Sequence, residues 1–490
     1  MKRIAIVGAG ISGVTAAWQI TRLDATPTEV TLFEASGRAG GIVETVRRDG
    51  FVVELGPDSW VSEKPAAREL ATELGLAHEL IASNDAFRKT HLLLDGKLQA
   101  MPEGLRMMVP TSRAALAAMD ASPIFSTAAR KAFWEELERA QELQRSAPLE
   151  DESIASFTER HFGREVLERL AAPLLSGVFG GNVETLSVRA VMAPFVAMER
   201  ERGSLIAALE QRDEERRVTG KPAQAIFTTL RSGLGTLTDA MVRQLPEECL
   251  RLRRKVLGIR RADMSTQMGW LVRHNVTEGR SFPGAAEEER FDHVILATPG
   301  HVTVELLGPI DRELARLLPT EASSAILVAL AWTGAMFPVP QGFGFLVPPP
   351  RRGESAGSEL LATTFVDQKF SDRVPEGGRL LRAFFGGNAA RNLLARNASA
   401  EQLVELAMRE LNRVLGFGTG EEIPAAVFAE VRRWPLSLPQ YAVGHQERVA
   451  TLDRQVARIE GLHLLGNALR GVGLPDLIRE ARSLARELLR

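Results

Sequence analysis

"RIAIVGAGISGVTAAWQITRLDATPTEVTLFEA", residues 3–35, decides the fold by the order of its parts. "RIAIV" (3–7) is a short apolar run of strand type. Ile11, Val14, Ala17, Trp18 and Ile20 recur at helical spacing over residues 11–23. "EVTLFEA" (29–35) is a second strand. Strand, helix and strand within so short a span make a β-α-β unit and call for a parallel sheet. The turn between the first two elements is "GAGISG" (8–13). Gly8 allows a tight turn, Gly10 lets backbone approach a pyrophosphate, and Gly13 lets the helix pack against the sheet. With Ala9, Ile11 and Ser12 these residues present a helix N-terminus, whose N–H groups and positive dipole end suit phosphate. Glu34 follows Gly13 by 21 residues, at the end of the second strand, where an acidic side chain reaches ribose hydroxyls. Ala35 continues the same turn.

The bulk properties narrow the function class. The chain has 490 residues, 45% of them hydrophobic and 25% charged, enough for two or three domains. Its 60 basic and 62 acidic residues nearly cancel, which argues against nucleic-acid binding by bulk charge. Cys249 is the only cysteine, so intramolecular disulfides, zinc clusters and CxxC redox pairs are excluded. It reads as a minor position between a helix and a strand, and a single thiol suits a reducing cytoplasm. The apolar run after "MKR" is too short for a signal peptide, and no segment approaches 18 uninterrupted apolar residues, so no transmembrane helix is expected. Peripheral membrane contact stays open. No metal-ligand spacing is seen.

Further along, residues 111–217 are rich in Ala, Leu, Glu and Arg and read as mostly helical, with "EQRDEERR" (210–217) as a solvated helix end or loop. Strands return in "RKVLGIRR", "GWLVRHNV" and "DHVILATPG" between 251 and 300. Residues 325–387 read as an antiparallel sheet, 400–415 as an amphipathic helix and 462–466 as a short strand. The expected fold class is α/β: a Rossmann-like dinucleotide domain interleaved with an α+β substrate domain and a helical subdomain. The dinucleotide domain takes residues 1–85, 218–305 and 446–490. The substrate domain takes 86–110 and 306–445, and the helical subdomain 111–217.

Several segments carry a family resemblance. "RAGG" (38–41) places Arg38 and Gly41, followed by Ile42, just past the ribose-binding acid. "ELGPDSW" (54–60) adds Gly56, Pro57, Asp58 and Ser59. Together with "DHVILATP" (292–299) they resemble the FAD-containing amine oxidase superfamily. "PLLSGVFGGNVETLSVRA" (173–190) and "GNALRGVGLPDLI" (466–478) narrow the resemblance to the bacterial, soluble branch of the protoporphyrinogen/coproporphyrinogen oxidase family, over nearly the full chain.

That resemblance implies non-covalent FAD, since Cys249 is far from the C-terminal position at which some relatives attach it. It implies six-electron oxidation of a porphyrinogen to a porphyrin in haem biosynthesis, with hydride passing from a bridging methylene to flavin N5 and dioxygen becoming hydrogen peroxide. Val256 matches the position whose backbone holds the adenine, and Trp434 a segment near the flavin. Gly466, Val472, Gly473 and Leu474 match the C-terminal flavin motif, where Gly471 and Gly473 let backbone pass the ring. Pro475 is expected to start the last helix, with Leu477, Ala481, Leu484 and Leu488 on its buried face.

On the substrate side the resemblance puts Phe343 and Leu346 against the macrocycle and the Gly177 carbonyl at a pyrrole N–H. Arg88 is the candidate for a propionate, because relatives keep a carboxylate-binding arginine in this segment at the place of Thr90. His91 is the best placed histidine, with a structural role expected. No side chain is assigned as the catalytic base. Coproporphyrinogen III is the favoured substrate and protoporphyrinogen IX the alternative. An amine oxidase, a carotenoid desaturase and a non-enzymatic binder like the GDP-dissociation inhibitors are the readings outside the family. Hand-over of product to a downstream haem-pathway enzyme is a further expectation.

Overall fold

The computed structural model describes all residues except 24–26, 221–223, 263–268, 278–284, 335–336, 350–357, 417–421 and 490. The chain forms two compact units. One is built from Met1–Ala82, Ile226–Ala322 and Gln446–Arg490, the other from Ser83–Ala225 and Ser323–His445.

The first unit carries a five-stranded parallel sheet in the order Leu250–Arg251, Thr28–Phe33, Lys2–Val7, His293–Leu296, Leu462–Leu464. Its opening strand, helix Ile11–Arg22 and second strand are the expected β-α-β unit. Strands Arg254–Arg261, Trp270–Val276 and Glu287–Phe291 form a separate antiparallel sheet. The two ends of the chain meet in one core, where Ile4, Ile6, Val14 and Trp18 pack with Leu477, Ile478 and Ala481. Full burial of one such Leu or Ile is worth about 1.5–3 kcal/mol, so the C-terminal helix Leu474–Leu488 is a stabilising part of the first layer. Of the four residues expected on its buried face, Leu477, Ala481 and Leu488 are buried and Leu484 is partly so. Cys249 lies just before the edge strand, where burial pushes its thiol up to about 11. It is therefore a poor nucleophile.

The second unit combines a helical region with a seven-stranded sheet. The sheet order is Phe428–Pro439, Ala322–Thr333, Gly378–Phe385, Ala362–Phe365, Gly344–Leu346, Thr90–Leu94, Lys97–Ala100. Five of the helices in residues 111–217 are started by serines. The side chains of Ser112, Ser126, Ser153, Ser187 and Ser204 each accept a first-turn backbone N–H, a contribution of about 1 kcal/mol apiece. The amphipathic helix is Ala400–Leu415, opened by a capping box between Ser399 and Gln402. The run 210–217 forms the end of helix Leu205–Val218.

The described strand pairs within residues 325–387 are antiparallel, as expected. Gly344–Leu346 also takes Thr90–Leu94, from outside that stretch, in parallel, and the chain between residues 94 and 344 supplies the crossover. Two expected domain bounds are corrected. Residues 306–322 belong with the first unit, not the sheet, because Leu306, Leu307, Leu314 and Leu318 pack with Val294, Leu296 and Leu462. The helical region and the sheet cluster as one unit, sharing a core that joins Leu92 and Leu94 to Phe133, Phe157 and Leu175. Among the described residues no helix is long and apolar enough to cross a membrane.

Candidate functional site

In the first unit the glycine-rich turn is dictated by backbone contact. Gly8 has φ +100°, and a Cβ there would sit 2.7 Å from the Ala297 carbonyl oxygen. A Cβ on Gly13 would lie 1.9 Å from the Gly8 oxygen. Gly10 is different, since a Cβ there would meet nothing within 4 Å. Nothing in the packing requires glycine at Gly10. Gly10 is also the N-cap of helix Ile11–Arg22 and contributes no side-chain cap. Unlike the serine-capped helices, this one has no side-chain acceptor for its first N–H groups.

Glu34 stands at the end of the second strand. Its Oε2 accepts the Ala9 N–H at 2.8 Å and its Oε1 accepts the Ser36 N–H at 2.8 Å. The carboxylate ties the glycine turn to the strand end, and each oxygen keeps acceptor capacity for hydroxyl donors. Ala35 is exposed beside it. Arg38 folds back on its own loop: it donates to the Ala39, Gly41 and Val43 carbonyls and pairs with Glu44 at 2.9 Å. Gly41 lies against Gly10, where a Cβ would come within 3.1 Å of the Gly10 Cα. Ile42 and Gly56 also touch, since a Cβ on Gly56 would strike the Ile42 carbonyl oxygen at 1.8 Å. Pro57, Asp58 and Ser59 follow half-buried, with the Ser59 hydroxyl donating to Asp58 at 2.7 Å. Val256 is buried on its antiparallel sheet opposite His274, beside an irregularity before Gly258.

The C-terminal motif supplies another helix start without a side-chain cap. Gly473 is the N-cap of Leu474–Leu488, and Gly466 and Gly471 have φ +126° and +79°. Pro475 is the second helical residue and not the first; it still costs nothing, because the N–H groups of this turn have no partner within the helix. Gly471 is explained by its own helix, since a Cβ there would come within 2.6 Å of the Asp476 Cβ. The buried Asp476 carboxylate is held by Lys64 at 2.5 Å and Arg479 at 3.1 Å. Val472 bridges these glycines.

In the second unit, cross-strand registers bring several predicted residues onto one sheet face. One row runs Arg382, Thr364, Gly344, Thr90 across four strands. The next row on that face runs Phe384, Ala362, Leu346, Leu92. Gly177 and Leu346 belong together, since a Cβ on Gly177 would lie 2.7 Å from Leu346 Cδ2. Gly177 is not in a turn but in the last turn of helix Ala172–Phe179, where carbonyls run out of helical N–H donors.

Phe343 lies one residue before its strand, half-buried, with its N–H on the Lys89 carbonyl at 2.7 Å. Arg88, exposed after the short 3₁₀ turn Asp85–Phe87, is two residues from Thr90. His91 falls on the opposite face. It is paired with Phe345, whose side chain joins the core of Leu381, Leu403 and Leu411. Burial pushes its ring below the usual histidine range. Trp434 is half-buried in the edge strand Phe428–Pro439 of this second unit.

Arg382, Thr364 and Phe384 were not singled out from sequence. The signal was present: in "GRLLRAFF" (378–385) Leu381, Ala383 and Phe385 form the core face, which leaves a charge at 382 on the other face of an apolar run.

The family model for flavin containing amine oxidoreductases matches residues 11–489. The chain is 28% identical to the coproporphyrinogen III oxidase of Bacillus subtilis over 100% of this chain and 98% of that one. It is 32% identical to the coproporphyrinogen III oxidase of Propionibacterium freudenreichii over 99% and 90%. The chloroplastic protoporphyrinogen oxidase of Nicotiana tabacum is 29% identical over 99% and 84%. A crystal structure from Exiguobacterium sp. 255-15, assigned to the protoporphyrinogen oxidases, superposes with a TM-score of 0.80 at 28% identity, covering 100% of this chain and 98% of that one. The reduced UDP-galactopyranose mutase shares the fold, with a TM-score of 0.67 at 14% identity. With glycine-led helix starts at both ends of its first unit and similarity along its whole length, the chain belongs to the flavin-containing amine oxidoreductases and, within them, to the protoporphyrinogen/coproporphyrinogen oxidase family.

Proposed function

We propose that this protein oxidises coproporphyrinogen III to coproporphyrin III, using non-covalently bound FAD and dioxygen. The observation that carries the reading is end-to-end similarity to bacterial coproporphyrinogen III oxidases, at 26–32% identity over 97–100% of this chain. Six electrons and six hydrogens leave the macrocycle, and three dioxygen molecules become three of hydrogen peroxide. FAD, when bound, supplies the two-electron acceptor.

The residues fit such a dinucleotide. The open approach at Gly10 and the uncapped helix at Ile11 suit its pyrophosphate, Glu34 its ribose, Val256 its adenine end, and the helix start at Gly473 its ring. Arg38, Gly41, Ile42 and the 56–59 turn shape the loop beside it. On the second unit's sheet face, Leu346 gives apolar contact for a flat ring, the Gly177 carbonyl accepts a pyrrole N–H, and Phe343 and Arg88 flank that face. The lone, buried Cys249 suits a cytoplasmic setting, and the free porphyrin product calls for an acceptor that inserts metal or carries it onward.

The test is parallel oxidation of coproporphyrinogen III and protoporphyrinogen IX, followed by porphyrin fluorescence, with a primary amine as control. Faster turnover of coproporphyrinogen III supports the reading. Preference for protoporphyrinogen IX would replace it; the Nicotiana tabacum relatives are named protoporphyrinogen oxidases. Amine turnover without porphyrin would overturn both.

A further inference from the structure

We propose that His161 is kept as an imidazolium inside the second unit and latches four helices of its helical region, so that this region opens as pH rises. His161 lies on helix Ile154–Phe162, and its side chain is fully buried. Its Nδ1 lies 3.2 Å from Glu136 Oε1, and its Nε2 lies 3.2 Å from Glu199 Oε1. Both ring nitrogens therefore face carboxylate oxygens. A neutral imidazole carries one N–H and satisfies one of them, whereas the imidazolium donates to both.

The two carboxylates are already committed as acceptors. Glu136, on helix Thr127–Glu138, accepts the Ser204 hydroxyl on Oε2 and the Leu205 N–H on Oε1, each at 2.6 Å. Ser204 is the N-cap of helix Leu205–Val218. Glu199, on helix Ala193–Arg202, accepts from Arg160, which also reaches Glu152 at 2.5 Å. Donors of this kind favour the ionised form of both carboxylates.

The charges facing the ring are thus Glu136 and Glu199 from the two helices packed on it and Arg160 from its own helix. Glu152 lies behind Arg160, and Arg139, just past the Glu136 helix, donates to the Arg160 carbonyl at 3.4 Å. Helix Leu205–Val218 contributes the uncharged Ser204 and Leu205 donors. Phe157 and Phe162 flank the ring, with centres 4.6 and 5.6 Å away. Burial pushes the His161 ring down, but the two carboxylates outweigh it and hold the ring above the usual histidine range. Burial likewise pushes Glu199 up, and His161 with Arg160 holds it below the usual carboxylate range.

Loss of the proton turns a ring lone pair toward an oxygen 3.2 Å away, so one of the two contacts becomes repulsive. A break at Glu136 loosens the junction with two helices, and a break at Glu199 the junction with one. In the open chain a histidine titrates near 6.5, below the closed form. The stability that the proton confers is therefore fully present below about pH 6.5 and is lost as pH rises through the closed-form value.

Full-length protein carrying its flavin is labelled with 13C at histidine Cε1, and its eight histidines are followed by NMR. The His161 signal, identified by its loss in His161→Gln, should hold the imidazolium position at pH 8, where an ordinary histidine is neutral. A neutral ring at pH 8 overturns the proposal. Hydrogen exchange over residues 127–138 and 193–211, corrected for the intrinsic effect of pH, reads the latch. Between pH 7 and 8 the opening constant should rise about tenfold in wild type and stay within about twofold in His161→Gln. Equal pH dependence in the two proteins removes the latch. Should His161→Gln not fold, Glu199→Gln decides: one signal protonated at pH 8 in wild type should be neutral there, and if none changes the proposal falls.

Discussion

Gly177→Ala separates stability from substrate affinity at the second unit's sheet face. Gly177 is helical, so alanine gains about 1 kcal/mol of helix propensity. Its Cβ would lie 2.7 Å from Leu346 Cδ2, about 1 Å inside ordinary carbon contact. The obstacle is the tip of a flexible side chain, so Leu346 can turn aside at about 0.5–1.5 kcal/mol. The two terms nearly cancel, and unfolding free energy should stay within about 1 kcal/mol of wild type. Leu346 is then displaced on the face proposed to meet the macrocycle. Losing about 1 kcal/mol of apolar contact should raise the KM for coproporphyrinogen III roughly fivefold. The Gly177→Ala/Leu346→Ala double variant has room for the new methyl, so its KM should rise no further than that of Leu346→Ala alone. Chemical denaturation and a steady-state fluorescence assay read both quantities. Effects that add to within about 0.5 kcal/mol would show that the two residues act independently and would refute the reasoning.

Gly10→Val should fold normally but purify without flavin, because its side chain enters open space; full flavin absorbance would end the pyrophosphate assignment. Gly13→Val should instead lose several kcal/mol of stability, since its Cβ would strike backbone at 1.9 Å, and a thermal midpoint near wild type would contradict that. Glu34→Ala frees the Ala9 and Ser36 N–H groups and should cost about 1–3 kcal/mol along with flavin retention on dialysis. In the parallel sheet His293 Nδ1 and His463 Nε2 lie 3.2 Å apart, and burial together with the His293 neighbour pushes His463 down from 6.5 to about 4. The unfolded chain therefore binds the proton first, so stability present above pH 6.5 is lost as pH falls toward 4, by at most about 3 kcal/mol. His463→Gln should flatten that part of the stability profile, and an unchanged slope would exclude the pair as its cause.

Local order was legible wherever chemistry repeats along the chain. The β-α-β unit, the 210–217 helix end, the helix at 400–415 and the glycine turn follow from spacing, capping and the bareness of glycine, all properties of neighbouring residues. Pairing between distant segments is not local. The alternation in "THLLLDG" and "QGFGFLVP" marks two strands, but their parallel pairing depends on what lies between them. His91 and Thr90 are adjacent in sequence and fall on opposite faces of one sheet, so register alone separates the histidine from the row containing Arg382. Arg382, Thr364, Gly344 and Thr90 span nearly 300 positions, and no pattern along the chain joins them. By itself the sequence determined the elements, the glycine-led helix starts and the family. Only the tertiary structure decided which side chains share a face, because strand pairing is set by packing of the whole sheet against its core, not by the residues of any one strand.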